Sequence, residues 1–243
     1  MPDEERSRLM DEALPARPTV DAYLGLGSRY SYLASTQLER IAADAGITFN
    51  WIPIVSADLF AAGRNPFEGP PVSPQYDMRY READARAWAD YYVVPFREPA
   101  GRLSFDPALL VRGALAAADA RVPMMKRLFQ AVFADERTRI DLADVADCAQ
   151  MVGLDRFHFR KVLADPALEA ERLVISEKAR SRGVFGVPFF IVGNRSFFGN
   201  GRRRRQPLGL TQGRAEDVAL ASYCVCSLAL CRVVPVVSGV PNT

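Results

Sequence analysis

The sequence predicts an α/β protein in which one sheet is interrupted by a long helical insertion. Three observations indicate this: a strand-helix-strand pattern near the start, a helical block in the middle, and a strand pair after it. The chain has 243 residues, 49% of them hydrophobic, and a formal net charge of +2. This composition is that of an ordinary globular protein with enough residues to bury a core.

The first part of the sheet is predicted from the alternation of apolar residues over 20–26, which indicates a strand. A helical period follows over 30–45, and Gly46 provides a C-terminal cap. Alternation returns over 47–54. A β-α-β unit of this kind implies two parallel strands joined by a right-handed crossover.

The helical block covers residues 59–180, where no convincing strand is found. Helical stretches are predicted at 77–92, 107–120, 122–133, 141–151, 155–163 and 166–180. Two of them follow Asp106-Pro107 and Asp165-Pro166, pairs that are typical of an N-cap before the first helical residue.

Strand character returns after this block. Residues 187–192 are apolar, and Gly193-Asn194 suits a two-residue hairpin turn into residues 196–198. The order β-α-β, helical insertion, β-β is that of a thioredoxin-like core split by a helical domain. The predicted division is an N-terminal extension at 1–17, a core at 18–58 and 181–215, an all-helical insertion at 59–180 and an atypical tail at 201–243.

Several function classes receive no support from the sequence. No apolar run reaches the roughly 18 to 20 residues of a membrane span, and residues 1–17 contain no signal-peptide core, so we expect a cytoplasmic protein. The three C-terminal cysteines lack the spacing of a zinc site, and the only histidine is the distant His158, so no metal is expected. Residues 202–205 are arginines without interleaved aromatic residues, so nucleic acid is not an expected partner.

The first candidate site lies where the first strand gives way to the first helix. Ser28 stands at the N-terminus of this helix, where backbone N–H groups favour an anion, including a thiolate. Its hydroxyl can donate a hydrogen bond to the sulfur of a cofactor and so lower the pKa of that thiol. Serine is also among the commonest N-caps, which contribute about 1 kcal/mol to a helix. Both interpretations are open on this motif alone.

The second candidate site is the segment Gly183 to Pro188, with the sequence Gly-Val-Phe-Gly-Val-Pro, directly before a predicted strand. A cis Val187–Pro188 bond would explain a proline here, because a proline inside a strand loses a ladder hydrogen bond. That geometry would turn the N–H and C=O of Val187 outward, where an extended peptide such as glutathione can pair with them. The alternative is a simple proline at the strand entrance.

Together these motifs resemble those of a known family, the kappa-class glutathione transferases and 2-hydroxychromene-2-carboxylate isomerases, in the DsbA-like thioredoxin superfamily. Residues 28–32, Ser-Arg-Tyr-Ser-Tyr, are similar to the family signature Ser-Pro-Tyr-Ser-Tyr/Trp, and Gly183 to Pro188 resembles its cis-proline loop. Residues 63–66 and 198–200 match two further elements of the family. The resemblance extends from about Val20 to Asn200.

The resemblance implies an isomerase of the 2-hydroxychromene-2-carboxylate type, acting on a small aromatic carboxylate with glutathione as its cofactor. Ser28 would activate the glutathione thiol, and Arg29 and Tyr30 would contact the substrate. The residues implied to bind glutathione are Asn65, Val187, Pro188 and Asn200. A homodimer and a role in aromatic catabolism are further expectations.

Two positions depart from the family pattern. Arg29 replaces a proline and adds a charge at the mouth of the site, which can attract a carboxylate or can simply be solvated. Gly201 stands where the family has an aspartate for the γ-glutamyl ammonium group, so we expect weaker glutathione affinity. From Gly201 onward the sequence is typical of a stretch read in another frame, a divergent replacement or a disordered tail.

Three other functions remain as alternatives. The first is a kappa-like glutathione transferase. The second is a thiol-disulfide oxidoreductase, which would need a nucleophilic cysteine at the helix start, and residues 28–32 contain none. The third is a non-catalytic protein that keeps the thioredoxin fold.

Overall fold

A computed structural model describes residues 17–60 and 77–199 and contains a mixed four-stranded sheet. The strands are β1 (Thr19–Gly25), β2 (Thr48–Ile54), β3 (Ser104–Phe105), β4 (Arg139–Ile140), β5 (Phe189–Val192) and β6 (Arg195–Phe198). The sheet order is β2-β1-β5-β6, with β1 and β2 parallel and the other neighbours antiparallel. This is the predicted thioredoxin-like arrangement.

Helix α1 (Arg29–Ala45) makes the crossover between the two parallel strands. Its buried face includes Leu33, Leu38 and Ile41, each fully inaccessible to solvent, which confirms the predicted helical period. Gly46 ends the helix with φ = 65°, a left-handed conformation that glycine adopts without steric cost.

The insertion between β2 and β5 consists mainly of helices. They are α2 (Met78–Tyr92), α3 (Pro107–Ala116), α4 (Arg121–Phe133), α5 (Leu142–Met151), α6 (Arg156–Leu163) and α7 (Ala167–Ser181), with short 3₁₀ turns at Ser56–Leu59 and Ala118–Ala120. Aspartates start most of them. The carboxylate of Asp106 accepts a hydrogen bond from the N–H of Ala108, as the Asp106-Pro107 pair predicted. The carboxylate of Asp165 accepts one from the N–H of Ala167, but Pro166 occupies the N-cap position and α7 begins one residue later than expected.

The structure corrects two predictions within the insertion. Residues 59–180 were expected to lack strands, yet β3 and β4 pair in parallel through two residues each. The helix expected over 107–120 ends at Ala116, because Ala118 has φ = 46° and a 3₁₀ turn replaces the last helical turn. Neither two-residue strands nor a single left-handed residue leave a periodic signal in a sequence.

Two hydrophobic clusters cover the two faces of the sheet. The larger one joins the sheet to α1 and the insertion, and Tyr32 stacks on Phe133 inside it with a centroid distance of 5.2 Å. The smaller one contains Tyr23, Phe189 and Ala179 of α7. Because each fully buried large side chain contributes about 1.5 to 3 kcal/mol, these contacts hold α1 rigidly between the sheet and the insertion.

Part of the predicted organisation lies outside the described residues. This applies to the N-terminal extension apart from Arg17, to the tail at 201–243, and to the end of the predicted core. The division into extension, core, insertion and tail therefore stays a prediction. None of the helices within 17–60 and 77–199 has the length and apolar character needed to cross a membrane.

Candidate active site

Ser28 occupies the turn between β1 and α1 and is partly exposed. Its N–H donates to the C=O of Gly25 at 2.9 Å, which holds the turn, and its Oγ accepts from the N–H of Ser31 at 3.3 Å. The cap interpretation is therefore confirmed. It does not compete with the second interpretation, because accepting this bond uses a lone pair and leaves the hydroxyl proton free to donate. Within the described residues that proton has no acceptor.

Gly25, the last residue of β1, lies close to three side chains of the site. A Cβ atom added there would lie 2.6 Å from Oγ of Ser56, 2.8 Å from Cγ2 of Val187 and 3.4 Å from Cβ of Ser28. The structure thus brings Ser28 and Val187 together, as the two motifs predicted. Sequence reasoning missed Gly25 and Ser56; the only available signal was a glycine at the end of a buried strand.

The loop before β5 forms the other side of this site. The Val187–Pro188 peptide bond is cis, as expected from the sequence. Val187 is partly exposed, and neither its N–H nor its C=O is hydrogen-bonded within the described part of the chain. The C=O of Pro188 accepts from the N–H of Gly199 at 3.0 Å, which fixes the loop to the end of β6. One donor and one acceptor therefore remain available beside Ser28.

Arg29 lies inside the protein, so the alternative of a simply solvated residue is wrong. The residue is 8% exposed, and its Nη2 lies 3.1 Å from Oε1 of Glu98, which is 5% exposed. Glu98 belongs to the insertion, and its Oε1 also accepts from the N–H of Ala100 at 3.2 Å. Arg29 is buried because this carboxylate supplies the charge partner that a buried guanidinium requires.

Two tyrosines of α1 also connect the site to the insertion. The hydroxyl of Tyr30 donates to Oδ2 of Asp84 at 2.7 Å, and the guanidinium of Arg81 lies 5.1 Å from the centre of its ring. Burial raises the pKa of Tyr30 far above its ordinary value, so this hydroxyl stays protonated. Burial also raises the pKa of Tyr32 to about 12, and its hydroxyl donates to the C=O of Pro95 at 2.5 Å.

Other residues with an expected or conceivable role lie elsewhere. Asn65 and Asn200 are outside the described residues. Cys148 on α5 is buried, and burial raises the pKa of its thiol, which disfavours a reactive thiolate there. No group of three or more potential metal-ligating side chains is found in the described part of the chain. Contact between a substrate and Arg29 or Tyr30 stays a prediction.

Comparisons with known proteins show which family the chain resembles as a whole. A family model for the DSBA-like thioredoxin domain matches residues 19–205. The 2-hydroxychromene-2-carboxylate isomerase of Sphingobium xenophagum is 31% identical over 188 residues, which cover 76% of this chain and 93% of that protein. The protein of the same name from Pseudomonas putida is 31% identical over 187 residues, covering 75% and 89%.

A solved structure shows a similar likeness. The chain superposes on a 2-hydroxychromene-2-carboxylate isomerase with a TM-score of 0.63 and 26% sequence identity. The superposition covers 74% of this chain and 88% of that one.

Proposed function

Because this chain belongs to the DSBA-like thioredoxin family and, within it, to the group of 2-hydroxychromene-2-carboxylate isomerases, we propose that it is a glutathione-dependent isomerase of a small aromatic carboxylate. One observation carries the proposal beyond family membership. Ser28 is partly exposed at the N-terminus of α1, and Val187 lies close to it. Among the described residues, neither the hydroxyl proton of Ser28 nor the backbone N–H and C=O of Val187 has a hydrogen-bond partner. This is a site for an anionic sulfur attached to an extended peptide.

The described residues beside Ser28 fit the cysteinyl part of glutathione. Its cysteinyl residue has one backbone N–H and one C=O. The N–H can donate to the C=O of Val187, and the C=O can accept from the N–H of Val187. Bound glutathione would supply a thiolate nucleophile, which the chain itself lacks at residues 28–32. Asn65 and Asn200 are proposed to hold other parts of the tripeptide.

The two serines of the first turn have different tasks. Oγ of Ser31 is fully buried and accepts from the N–H of Gly25 at 3.1 Å, so it stabilises the turn. Ser28 is partly exposed and keeps its hydroxyl proton for a ligand. A hydrogen bond from this hydroxyl, together with the N–H groups at the helix start, favours the ionised form of a thiol. We therefore assign the activating role to Ser28.

The rival functions predict different behaviour. A kappa-like glutathione transferase would consume glutathione stoichiometrically, whereas an isomerase would need only catalytic amounts of it. A thiol-disulfide oxidoreductase would need an accessible thiolate, and the one cysteine among the described residues is the buried Cys148. A homodimer, a cytoplasmic location and a role in aromatic catabolism are part of the proposal.

The proposal is tested with the full chain, its Ser28→Ala variant and a control variant, Asp155→Ala, which removes the cap of the distant helix α6. Glutathione binding is measured by titration calorimetry. Isomerisation of 2-hydroxychromene-2-carboxylate is followed by absorbance with and without glutathione. A hydrogen bond to a charged group contributes about 1.5 to 3 kcal/mol, so Ser28→Ala should reduce kcat/KM roughly 10- to 100-fold.

Asp155→Ala should keep the activity of the wild type. Wild-type protein that turns over equally well without glutathione, or a Ser28→Ala variant that is fully active, would contradict the proposal.

A further inference from the structure

Arg29 is the charged residue next to the proposed thiol site. It is the first residue of α1, directly after Ser28. In an α-helix the Cα–Cβ bond tilts toward the N-terminus, so a side chain at the first helical position leans over the turn that precedes it. A thiolate held by Ser28 would therefore lie in the field of the Arg29 guanidinium.

The guanidinium has one charge partner, Glu98, and the pair is shielded from water. The side chains are 10% and 6% exposed, and Nη2 lies 3.1 Å from Oε1. The bond from Ala100 to the same oxygen keeps the carboxylate in place through its own backbone turn. Charges in such surroundings act through an effective dielectric of about 20 instead of 80, so removing one of them changes the local field strongly.

The pair also has unused hydrogen-bonding capacity. Nη1 of Arg29 and Oε2 of Glu98 are both buried and have no hydrogen-bond partner among residues 17–60 and 77–199. A bidentate Arg–carboxylate pair would use these atoms. Each group therefore engages through one edge only, and Glu98 holds Arg29 through the single contact between Nη2 and Oε1.

Other charged groups surround the first turn of α1. Arg81 and Asp84 of α2 lie against Tyr30, and Arg81 also lies within electrostatic range of both Arg29 and Glu98. Asp106, which caps α3, stands between Phe105 and Pro107, whose side chains pack against Gly27. None of these groups is placed to neutralise Arg29 as Glu98 does, because Glu98 alone forms an ion pair with it within the described residues.

We propose that Glu98 is a positioning residue of the active site, which holds Arg29 at the start of α1 and offsets its charge beside the bound thiol. The inference rests on the proposed function and adds a residue that tunes it. The tuning has a chemical purpose: a thiolate must be populated at neutral pH, but its nucleophilicity falls as the pKa of the thiol falls. An unbalanced Arg29 would populate the thiolate at the expense of its reactivity.

The test is the pKa of enzyme-bound glutathione, read from the ultraviolet absorbance of its thiolate as the pH is varied. Glu98→Gln leaves Arg29 unbalanced and should lower this pKa by about one unit. Arg29→Gln leaves Glu98 unbalanced and should raise it by about as much. The double variant should return to within a fraction of a unit of the wild type. Arg40→Gln, an exposed position near the end of α1, is the matched control and should not change it.

The opposite signs separate this role from structural damage. Each single variant leaves a buried charge unpaired, so both should lose stability together, while the pKa of the bound thiol should move in opposite directions. Shifts of equal sign, or no shift in folded variants, would overturn the inference. If the single variants do not fold, the double variant decides: a pKa about one unit away from that of the wild type would overturn it equally. Wild-type protein without a bound thiolate would instead overturn the proposed function.

Discussion

The N-terminus of α1 differs from the other helix starts of this protein in the side chain that caps it. The carboxylates of Asp77, Asp106 and Asp141 each accept a backbone N–H at 2.8 Å, and Asp155 does so at 2.6 Å. Ser28 caps α1 with a hydroxyl at 3.3 Å. The helix that lies at the centre of the fold therefore has the longest of these capping bonds.

The difference supports the role proposed for the first turn of α1. A carboxylate only accepts hydrogen bonds, and its negative charge would repel a thiolate at the same helix end. A hydroxyl accepts one bond and donates another. An aspartate cap would thus be worse for the proposed chemistry, although it stabilises a helix at least as well. Among the described helices, aspartate caps α2, α3, α5 and α6, whereas α1 is capped by serine.

The strongest test replaces Ser28 by aspartate, the residue that caps α2, α3, α5 and α6. Ser28→Asp should preserve or raise the melting temperature, because aspartate caps at least as well as serine. It should lower glutathione-dependent turnover by roughly 100-fold or more, because a charge repels the thiolate and the donated hydrogen bond is lost. Thermal unfolding and kcat/KM together provide the test. A variant that still binds glutathione with wild-type affinity would show that the absence of charge at position 28 is unimportant.

A second prediction concerns the packing around Ser28. Gly25→Ala would place a methyl group against Ser56 and Val187, and Gly113→Ala would place one 2.7 Å from Cγ1 of Val145, far from the site. Overpacking of this kind costs about 1 to 3 kcal/mol, so denaturant unfolding should show similar losses for both variants. Only Gly25→Ala should also weaken glutathione binding, by about tenfold, since it displaces Ser28 and Val187. Equal glutathione affinity of the two variants would contradict the proposal that Gly25 keeps Ser28 and Val187 in place for the ligand.

The third prediction, with the smallest expected effect, concerns the stability of the helix caps at low pH. Asp141 has a pKa below its ordinary value, chiefly because the N–H of Asp144 donates to its carboxylate. Its contribution to stability is therefore complete above the unfolded pKa of about 4 and is lost as the pH falls through the lower, folded value. Ser28 does not titrate in this range.

Hydrogen exchange, corrected for the intrinsic effect of pH, should show the amides of Ala143 and Asp144 losing protection on acidification while the amide of Ser31 does not. Asp141→Asn is the control that should abolish this pH dependence. A similar loss of protection at the starts of α1 and α5 would indicate general unfolding instead.

The elements that the sequence could predict are those with local signals. Helix α1 follows from its apolar period and Gly46, and the hairpin of β5 and β6 follows from Gly193-Asn194, because turn chemistry and periodicity act over a few residues. The pairing of β3 with β4 could not be predicted, since two residues have no period. It forms because the fold brings Ser104 next to Arg139.

The same distinction applies to the site. Ser28 and Val187 could be predicted because each belongs to a short motif that can be recognised from a few consecutive residues. The burial of Arg29 could not be found, because it depends on Glu98, which no local pattern links to position 29. Gly25 is similar: nothing near it in the sequence shows that the side chains of Ser56 and Val187 lie close to it.

The buried position of Cys148 has a consequence for the resistance of this protein to oxidation. Oxidants attack exposed thiolates, and the described part of the chain contains no cysteine outside this apolar interior. Under the proposed chemistry the reactive sulfur at the active site belongs to a small exchangeable molecule. A spent sulfur can then be discarded and replaced in one binding event, without repair or resynthesis of the polypeptide.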